Sequence, residues 1–170
     1  MPELQRLRLD HGPAVLAFEL ANRSYFAASI TDRGEDYFAH FAERHAELLA
    51  EQDGGRCAFY VLVADDGAVI GRFNLRDIGA GSAVLGYRVA QQVAGQGVAT
   101  AAVEGLCREA TTRWGLSRLR AATSATNLAS QRVLAKAGFV LVGPADAAEL
   151  GGKPGSWYER RLASAPTRRR

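Results

Sequence analysis

The segment from Val89 to Ala110 reads VAQQVAGQGVATAAVEGLCREA and contains two glycines one residue apart, Gly95 and Gly97. A strand-like run precedes them. From Val98 to Trp114 an apolar residue recurs at every fourth position, which predicts a helix with one apolar stripe. A helix N-terminus presents unpaired N–H groups and a positive dipole end, and glycine lets an anion approach closely. The junction is therefore either a plain turn or a phosphate site.

Two familiar phosphate-binding folds do not fit this loop. A Walker A loop ends in Gly-Lys-Ser/Thr, and this loop has no lysine. A Rossmann fingerprint has Gly or Ala three residues after its second glycine and an acidic residue about 20 positions further on. Here Thr100 occupies the first position, and the next predicted strand, Leu119–Thr123, carries no acidic residue. The strands before the loop are also predicted to be antiparallel.

The rest of the chain predicts strands alternating with helices. Apolar and polar residues alternate over Leu4–Asp10, and three β-forming runs separated by turn signals predict an antiparallel meander over Arg56–Ala90. Helical spacing predicts a short helix near residues 15–20, one helix over Gly34–Gln52 and one over Asn127–Gly138. Further strands are expected at 116–123, 139–143 and 156–162, and this order predicts a mixed α/β, or α+β, layer structure.

Composition predicts a cytoplasmic globular protein with one domain over residues 1–163. Hydrophobic residues make up 48% and charged residues 23%, no apolar run approaches the ~20 residues of a membrane span, and no secretory h-region is present. The net charge of +3 lies in Arg168–Arg170, because removing these three leaves 18 basic and 18 acidic residues. Residues 164–170 are predicted to be a disordered Arg-rich tail. Since nucleic-acid binding would need a basic face, we expect neither a nucleic-acid nor a membrane partner.

The two cysteines, Cys57 and Cys107, lie among apolar neighbours on a predicted strand and a predicted helix. This pattern indicates buried thiols in a reducing compartment. No Cys and His spacing typical of a metal site is present, so the sequence predicts no metal.

Two motifs in the chain resemble those of the GNAT acetyltransferase superfamily. Gln92-x-x-Gly95-x-Gly97-x-Ala99 is similar to the family's acyl-coenzyme A (acyl-CoA) loop, Gln/Arg-x-x-Gly-x-Gly/Ala. The segment NLASQRVLAKAGF, Asn127–Phe139, resembles the family's second segment, Asn-x-x-Ser followed by Gly-Phe. The resemblance is good locally over residues 85–142 and extends by element order over residues 3–163.

Within the superfamily the chain most resembles the Rim-type group, which includes enzymes that acetylate the N-terminal amines of ribosomal proteins. The string LGYRVA, the GQGVATAAV segment and the KAGF ending are typical of that group. One departure is Ala94, because the residue before the first glycine of the loop is often a bulky aromatic there.

The resemblance implies the acyl-CoA N-acyltransferase fold, with a mixed, mostly antiparallel central sheet of six to seven strands and helices on both faces. It implies acetyl-CoA as co-substrate, held where the strands Ser82–Val89 and Leu119–Thr123 splay apart. The backbone near Arg88 would bond the pantetheine arm, and the amides of Gly95 to Thr100 would hold the pyrophosphate. The implied cofactor-binding residues are Arg88, Val89, Gln92, Gly95, Gln96, Gly97, Val98, Ala99, Thr100, Asn127 and Ser130.

Acetyl transfer to an amine needs a polarised thioester carbonyl, a neutral amine and a stabilised leaving thiolate. The resemblance implies Ser130 as the acid for the thiolate and Glu149 as a base acting through water. The alternatives are that Ser130 caps its helix and that Glu149 is a solvated loop residue. Tyr158 is either a second thiolate donor or a core aromatic. Neither cysteine matches a nucleophile position, so we expect direct attack on the thioester.

The acceptor is expected to be a protein N-terminal amine or a small-molecule amine. Its site is expected between the two early helices and the loop 144–155, where Phe26, Tyr37 and Phe41 either line a groove or belong to the core. Two alternatives stay open: a non-catalytic acyl-CoA sensor on the same fold, and a nucleotide- or RNA-associated domain that uses the Arg tail. A homodimer is also open.

Overall fold

A computed structural model describes residues 1–163 of the 170-residue chain. Its strands are β1 (Glu3–Arg6), β2 (Ala58–Val63), β3 (Val69–Gly79), β4 (Ser82–Val89), β5 (Arg118–Ser124), β6 (Val140–Ala145) and β7 (Gly155–Arg161). Its α-helices are α1 (Gly12–Ala21), α2 (Arg23–Ala27), α3 (Glu35–Ala39), α4 (Phe41–Asp53), α5 (Val98–Thr112) and α6 (Leu128–Lys136). Within these residues, no helix combines the length and the apolar character that a membrane crossing demands.

The seven described strands form one sheet in the order β1-β2-β3-β4-β5-β7-β6. Every neighbouring pair is antiparallel except β4 and β5, which run parallel. The predicted meander is formed by β2, β3 and β4, with tight turns in which Gly67 and Gly81 have positive φ angles of 86° and 76°. The predicted mixed, mostly antiparallel sheet is confirmed.

Helices cover both faces of the sheet. Tyr60, Phe73 and Tyr87 are direct cross-strand neighbours on β2, β3 and β4, so their side chains share one face. On that face the Tyr60 hydroxyl donates to Glu109 of α5 at 3.2 Å. The opposite face is covered by α1, since Glu19 of that helix bonds Arg72 of β3 at 2.8 Å. The predicted placement of helices on both faces is confirmed.

The core lies between the sheet and these helices. Of the apolar stripe predicted from Val98 to Trp114, Leu106 and its neighbours Ala102 and Ala110 are buried, whereas the two end residues are half-buried. Val103 of α5, Leu75 of β3 and Leu119 of β5 are also fully buried. Removing such aliphatic side chains from water contributes about 1.5–3 kcal/mol each. The apolar spacing of α5 therefore fixes which face of that helix meets the sheet.

Two predicted elements have the wrong bounds. The strand predicted over Leu4–Asp10 ends at Arg6, because the Arg8 N–H donates to Nδ1 of His11 at 3.0 Å and the chain turns there. The helix predicted over Gly34–Gln52 is two helices, α3 and α4, separated at His40, whose φ of −117° is not helical. The tail predicted over 164–170 lies outside the described residues, and a single domain over 1–163 stays a prediction.

The start of β7 is a tight packing site that yields a stability prediction. A Cβ on Gly155 would contact the Thr123 carbonyl oxygen and Cδ1 of Leu150, and would lie 2.8 Å from Cα of Ser124. Because backbone atoms cannot move aside cheaply, Gly155→Ala should lower the free energy of unfolding by about 2 kcal/mol or more. Urea denaturation measures this change.

The matched control is Gly143→Ala on the adjacent strand β6, where a Cβ would meet no atom within 4 Å. This variant should stay within about 0.5 kcal/mol of the unmodified protein. Equal urea midpoints for the two variants, with equal slopes, would contradict the packing described here.

Candidate active site

The sheet opens between its two parallel strands. Pairing of β4 with β5 covers only Ser82–Val84 against Arg118–Arg120. Beyond that point β4 stays paired with β3 as far as Val89, and β5 stays paired with β7 as far as Ser124. Each strand follows its outer neighbour, so the two part and leave what we call the β4–β5 opening. This splayed arrangement agrees with the sequence expectation.

The backbone of β4 presents unpaired groups to this opening. Arg88 pairs with Arg72 of β3, and the Ala90 N–H donates to the Ile70 carbonyl oxygen at 2.9 Å. Because hydrogen-bonding direction alternates along an antiparallel strand, Tyr87 and Val89 direct their N–H and C=O groups away from β3. An extended ligand in the opening would meet these groups as it would meet a neighbouring strand.

The opening leads to the glycine junction identified from the sequence. Gly95 and Gly97 have φ angles of 75° and 77°, and a Cβ at either would meet no atom within 4 Å. The Gly97 carbonyl accepts the first helical hydrogen bond of α5 from the Ala101 N–H at 3.0 Å. The N–H groups that come before Ala101 therefore lack partners inside the helix. The side chain of Gln96 donates to the Gln92 carbonyl at 2.9 Å and braces the loop.

A cavity of about 330 Å³, here the β4–β5 cavity, joins the opening to the glycine loop. Eight of the residues assigned to the cofactor from the sequence line it: Arg88, Val89, Gly95, Gly97, Ala99, Thr100, Asn127 and Ser130. Gln92, Gln96 and Val98 belong to the loop but do not line the cavity. Sequence reasoning missed two cationic lining residues, Arg132 and Lys136, although both lie on the helix that begins with the Asn-x-x-Ser motif.

The hydroxyls of Ser130 and Tyr87 lie 3.1 Å apart on the wall of this cavity. The Asn127 side chain caps α6 by accepting the Ser130 N–H at 3.2 Å, so the serine hydroxyl is not the cap. Burial raises the pKa of Tyr87 above its ordinary value, although the hydrogen bond with Ser130 opposes this. Tyr87 therefore keeps its proton and can donate it. Sequence reasoning missed Tyr87, and the register of β4 relative to the Asn-x-x-Ser helix is the signal that would reveal it.

Glu149 lies in a short 3₁₀ turn, is exposed and does not line the cavity. Its loop nevertheless borders the site, because the Lys153 ammonium donates to the carbonyl of Ser29 at 2.8 Å and Ser29 lines the cavity. None of the described lining residues carries a carboxylate. Tyr158 packs half-buried against the core and is not a lining residue.

The early helices close the cavity from the other side. Phe26 of α2 is buried and lines it, whereas Tyr37 and Phe41 pack edge to face against each other and do not. Asn22 fixes this arrangement, since its side chain donates to the Phe18 carbonyl at 2.9 Å and accepts the Gln91 N–H at 3.0 Å.

A buried carboxylate that the sequence reasoning missed lies beside the site. Glu19 has a side chain only 2% exposed, and it contacts the guanidiniums of Arg33, Arg72 and Arg88 at 3.0, 2.8 and 3.4 Å. Burial favours its neutral form, but these hydrogen bonds and charges outweigh burial and hold its pKa below the ordinary value. Glu19 lies one helical turn after the apolar Val15, and this position in an apolar helix was a sequence signal that the carboxylate is buried.

Both cysteines are free thiols, with Cys107 buried and Cys57 half-buried. Burial raises the pKa of the Cys107 thiol. Among residues 1–163, no three His, Cys, Asp or Glu side chains cluster as a metal site would require.

With this geometry in place, the chain can be compared with known proteins. A family model described as an acetyltransferase (GNAT) domain matches residues 3–140, so the chain belongs to the GNAT acetyltransferases. A search of the curated proteins found no match. The family predicted from the sequence is confirmed.

Solved structures of Rim-type enzymes have the same fold. Ribosomal-protein-S5-alanine acetyltransferase from Vibrio fischeri is 20% identical with a TM-score of 0.85, and the match covers 94% of this chain and 92% of that one. RimJ from Mycobacterium smegmatis, solved with a CoA disulfide, is 27% identical with a TM-score of 0.81, and the match covers 93% of this chain and 80% of that one. Spermidine N-acetyltransferase from Vibrio cholerae, solved with CoA and spermine, is 15% identical with a TM-score of 0.78, covering 95% of each. These likenesses agree with the Rim-type resemblance seen in the sequence.

The Glu19 cluster predicts a pH-dependent contribution to stability. A carboxyl whose pKa is lower in the folded than in the unfolded chain stabilises the fold above its unfolded value, here 4.5, and this contribution is lost as pH falls through the folded value. Glu19→Gln leaves three guanidiniums without their carboxylate, so the free energy of unfolding at pH 7 should fall by about 3–5 kcal/mol. Urea denaturation from pH 7 to pH 3 should show this difference narrowing below pH 4.5.

Glu47→Gln serves as the matched control, because its pair with Arg44 is at the surface and 60% of its side chain is exposed. Its effect at pH 7 should be about 1 kcal/mol or less. A Glu19→Gln deficit that stays constant down to pH 3 would show that the charge of Glu19 is not what stabilises the cluster.

Proposed function

We propose that this acetyltransferase moves an acetyl group from acetyl-CoA to a primary amine by direct attack of the amine on the thioester. The observation that carries this proposal is the β4–β5 opening, which continues through one cavity to the N-terminus of α5. Two glycines precede this N-terminus, and the space beside each is free of protein atoms. The opening suits a pantetheine arm, and the helix end suits a pyrophosphate.

The chain's groups that would hold the co-substrate fall into two sets. The N–H and C=O groups of Tyr87 and Val89 would bond the amides of the pantetheine arm, since they point into the opening. The N–H groups of Gly97 and the first turn of α5 would face the pyrophosphate, because each lacks a helical partner and the dipole there is positive. Arg132 and Lys136 add positive charge on the α6 wall of the same cavity.

When bound, acetyl-CoA supplies an activated acyl group with a thiolate leaving group. One unpaired β4 N–H would polarise the thioester carbonyl. The paired hydroxyls of Ser130 and Tyr87, 3.1 Å apart, form a proton path toward the departing sulfur. The new C–N bond forms as the C–S bond breaks. The sulfur takes a proton from the hydroxyl pair, the amine proton passes to a base, and solvent returns a proton to the hydroxyl pair.

Removal of the amine proton calls for a group outside the cavity wall, since none of the described lining residues is a carboxylate. We assign Glu149 this role through intervening water, because its loop is bonded to Ser29 on the cavity wall. A weak base is enough for this step. An unperturbed α-amino group has a pKa of about 8, so part of the amine is already neutral at pH 7.

The acceptor is a protein N-terminal amine or a small-molecule amine. The similar structures include enzymes named for a ribosomal-protein alanine and for spermidine, so the shared fold accommodates either kind. The decisive experiment measures acetyl-CoA binding by calorimetry and then thiol release over panels of amines and N-terminal peptides. No binding at millimolar cofactor would overturn the proposal, and tight binding with no release from any amine would favour a non-catalytic sensor.

The glycine cradle predicts a loss of cofactor affinity on substitution. Gly97→Ala should weaken acetyl-CoA binding at least about tenfold, because a methyl group would enter the space that the pyrophosphate needs and because a left-handed alanine costs about 1 kcal/mol. Isothermal titration calorimetry with CoA and with acetyl-CoA measures the dissociation constants.

Gly115→Ala is the matched control, since Gly115 follows the other end of α5, has a positive φ of 63° and would also place its Cβ in open space. Both variants should lose similar stability, and only Gly97→Ala should lose affinity. Equal affinity losses would assign the effect to helix strain and return Gly97 to the role of a plain turn.

The two proposed proton-transfer residues predict losses in turnover rather than in cofactor binding. Ser130→Ala and Glu149→Gln should each lower kcat at least about tenfold, the low end for an acid or base acting indirectly. The acetyl-CoA dissociation constant should stay within about twofold in both variants. Steady-state thiol release and calorimetry give the two quantities.

Ser117→Ala and Asp146→Asn are the controls. The Ser117 hydroxyl donates to the Gly81 carbonyl at 3.2 Å, and Ser117 does not line the cavity. Asp146 directly precedes the turn that carries Glu149. If Ser130→Ala or Glu149→Gln matched its control in kcat, that residue would have no part in proton transfer.

A further inference from the structure

A second cavity, of about 420 Å³, adjoins the β4–β5 cavity on the α1 side of the sheet. The two cavities share Ile30, Tyr87 and Arg88 in their walls. The shared wall contains the part of β4 that we assign to the thioester. An amine that occupied the second cavity would therefore lie next to the reacting carbonyl.

The wall of the second cavity is strongly basic. Among the described residues it includes no acidic side chain and four arginines, which are Arg33, Arg72, Arg76 and Arg88. Three of them share the single carboxylate of Glu19, which leaves a net excess of two positive charges at the cluster. The fourth, Arg76, is exposed and forms no salt bridge within residues 1–163.

The cluster is short of negative charge. Burial lowers the pKa of Arg88 to about 10, and repulsion from Arg33 and Arg72 acts in the same direction, while Glu19 compensates only in part. The Arg88 guanidinium also lies over the Phe26 ring, 4.7 Å from its centroid. This cation–π contact stabilises the positive charge only weakly. A further anion in the cavity would restore the balance.

The same cavity contains a buried polar atom without a partner. Oδ1 of Asn74 makes no hydrogen bond to the described residues and is shielded from solvent. The cross-strand neighbour of Asn74 is Gly86, where a Cβ would lie 2.8 Å from that oxygen, so glycine leaves Asn74 free to lie across β4. An unpaired buried acceptor is costly, and a ligand that donates an N–H to this oxygen would satisfy it.

We propose that the second cavity is the acceptor site, and that it selects primary amines that carry a carboxylate close to the amine. The proposal rests on the function proposed above and narrows its acceptor. The arginine wall would bind the carboxylate, the Asn74 amide would bond the backbone next to it, and the amine would face the shared wall. A polycationic amine such as spermidine would meet like charges and be disfavoured.

The carboxylate has two possible sources, and matched acceptors distinguish them. For an acidic peptide, the test compares kcat/KM for the amidated N-terminal peptides Ser-Glu-Glu, Ser-Gln-Gln and Ser-Lys-Lys. For a free amino acid, it compares serine with serinamide. Spermidine is the cationic reference. Within each set, the acetyl donor and the attacking amine remain the same kind.

At least one comparison should favour the carboxylate form about tenfold or more at low salt. The preference should shrink as ionic strength rises, because partly exposed charges are screened over about 8 Å at 0.15 M salt. Preference for Ser-Glu-Glu assigns the site to acidic peptides, and preference for serine assigns it to amino acids. Equal rates across both sets, or faster turnover of Ser-Lys-Lys or spermidine, would overturn the proposal.

Arg76→Gln tests the wall without disturbing Glu19, since Arg76 lies outside that cluster. The preference for the carboxylate form should fall severalfold, mainly through KM for the acceptor, while acetyl-CoA affinity stays unchanged. Arg113→Gln, which removes the same charge at the end of α5, should keep the preference in full. If both arginine variants keep it, the arginine wall does not select the acceptor.

The outcomes separate this inference from the function proposed above. If acetyl-CoA fails to bind, or if every amine including the neutral ones fails to release thiol, then the proposed function fails and takes the inference with it. If neutral and acidic acceptors turn over equally, the acetyltransferase reaction stands and only the acceptor selection is wrong.

Discussion

The candidate active site depends on the short pairing between β4 and β5, which covers only three residues of each strand. Parallel strands in a sheet ordinarily continue their ladder, and interrupting it leaves backbone N–H and C=O groups without partners. In this chain both strands remain paired with their outer neighbours, so the cost falls only on the inner edges. Those inner edges are the surface that an extended ligand can pair with, and the helices around them are arranged to line the resulting cavity.

The helix α5 links this opening to the proposed pyrophosphate end of the candidate site. Its buried face, which includes Val103 and Leu106, anchors it on the sheet and fixes where its N-terminus lies. The left-handed glycines before it then let the chain pass from β4 into the helix without placing a side chain over the unpaired N–H groups. Packing of the core therefore determines the position of a binding site that itself contains few core residues.

Much of this architecture could be predicted from the sequence, because the features that encode it are local. Turn residues, the apolar stripe of α5 and the Asn127 cap of α6 each act over a few positions. Together with the two family motifs they predicted the order of strands and helices along the chain, the helices on both faces and eight of the cavity-lining residues. The break at His40 was missed because the helical spacing of apolar residues continues across it.

The features that could not be predicted are contacts between distant segments. Glu19 and Arg88 are 69 residues apart, and Tyr87 and Ser130 are 43 residues apart, so neither pair has a local pattern. A buried glutamate also contradicts the general rule that charged residues stay exposed, and only its three arginine partners explain it. Such pairs become visible only when strand register and helix placement are known together.

Register also explains how one strand can present different side chains to the two faces of the sheet. Adjacent residues of a strand point to opposite faces, so Tyr87 reaches Ser130 on the α6 side while Arg88 reaches Glu19 on the α1 side. A slip of one residue would exchange these two faces, placing a guanidinium at the proposed proton path and a phenol beside Glu19. The stacking of Phe73 on Tyr87 opposes such a slip on one face. On the other face, the contacts of Arg72 and Arg88 with the Glu19 carboxylate oppose it. The long β3–β4 ladder therefore fixes which side chains of β4 face α6 and which face α1. The short β4–β5 ladder leaves the inner edge of β4 open to a ligand.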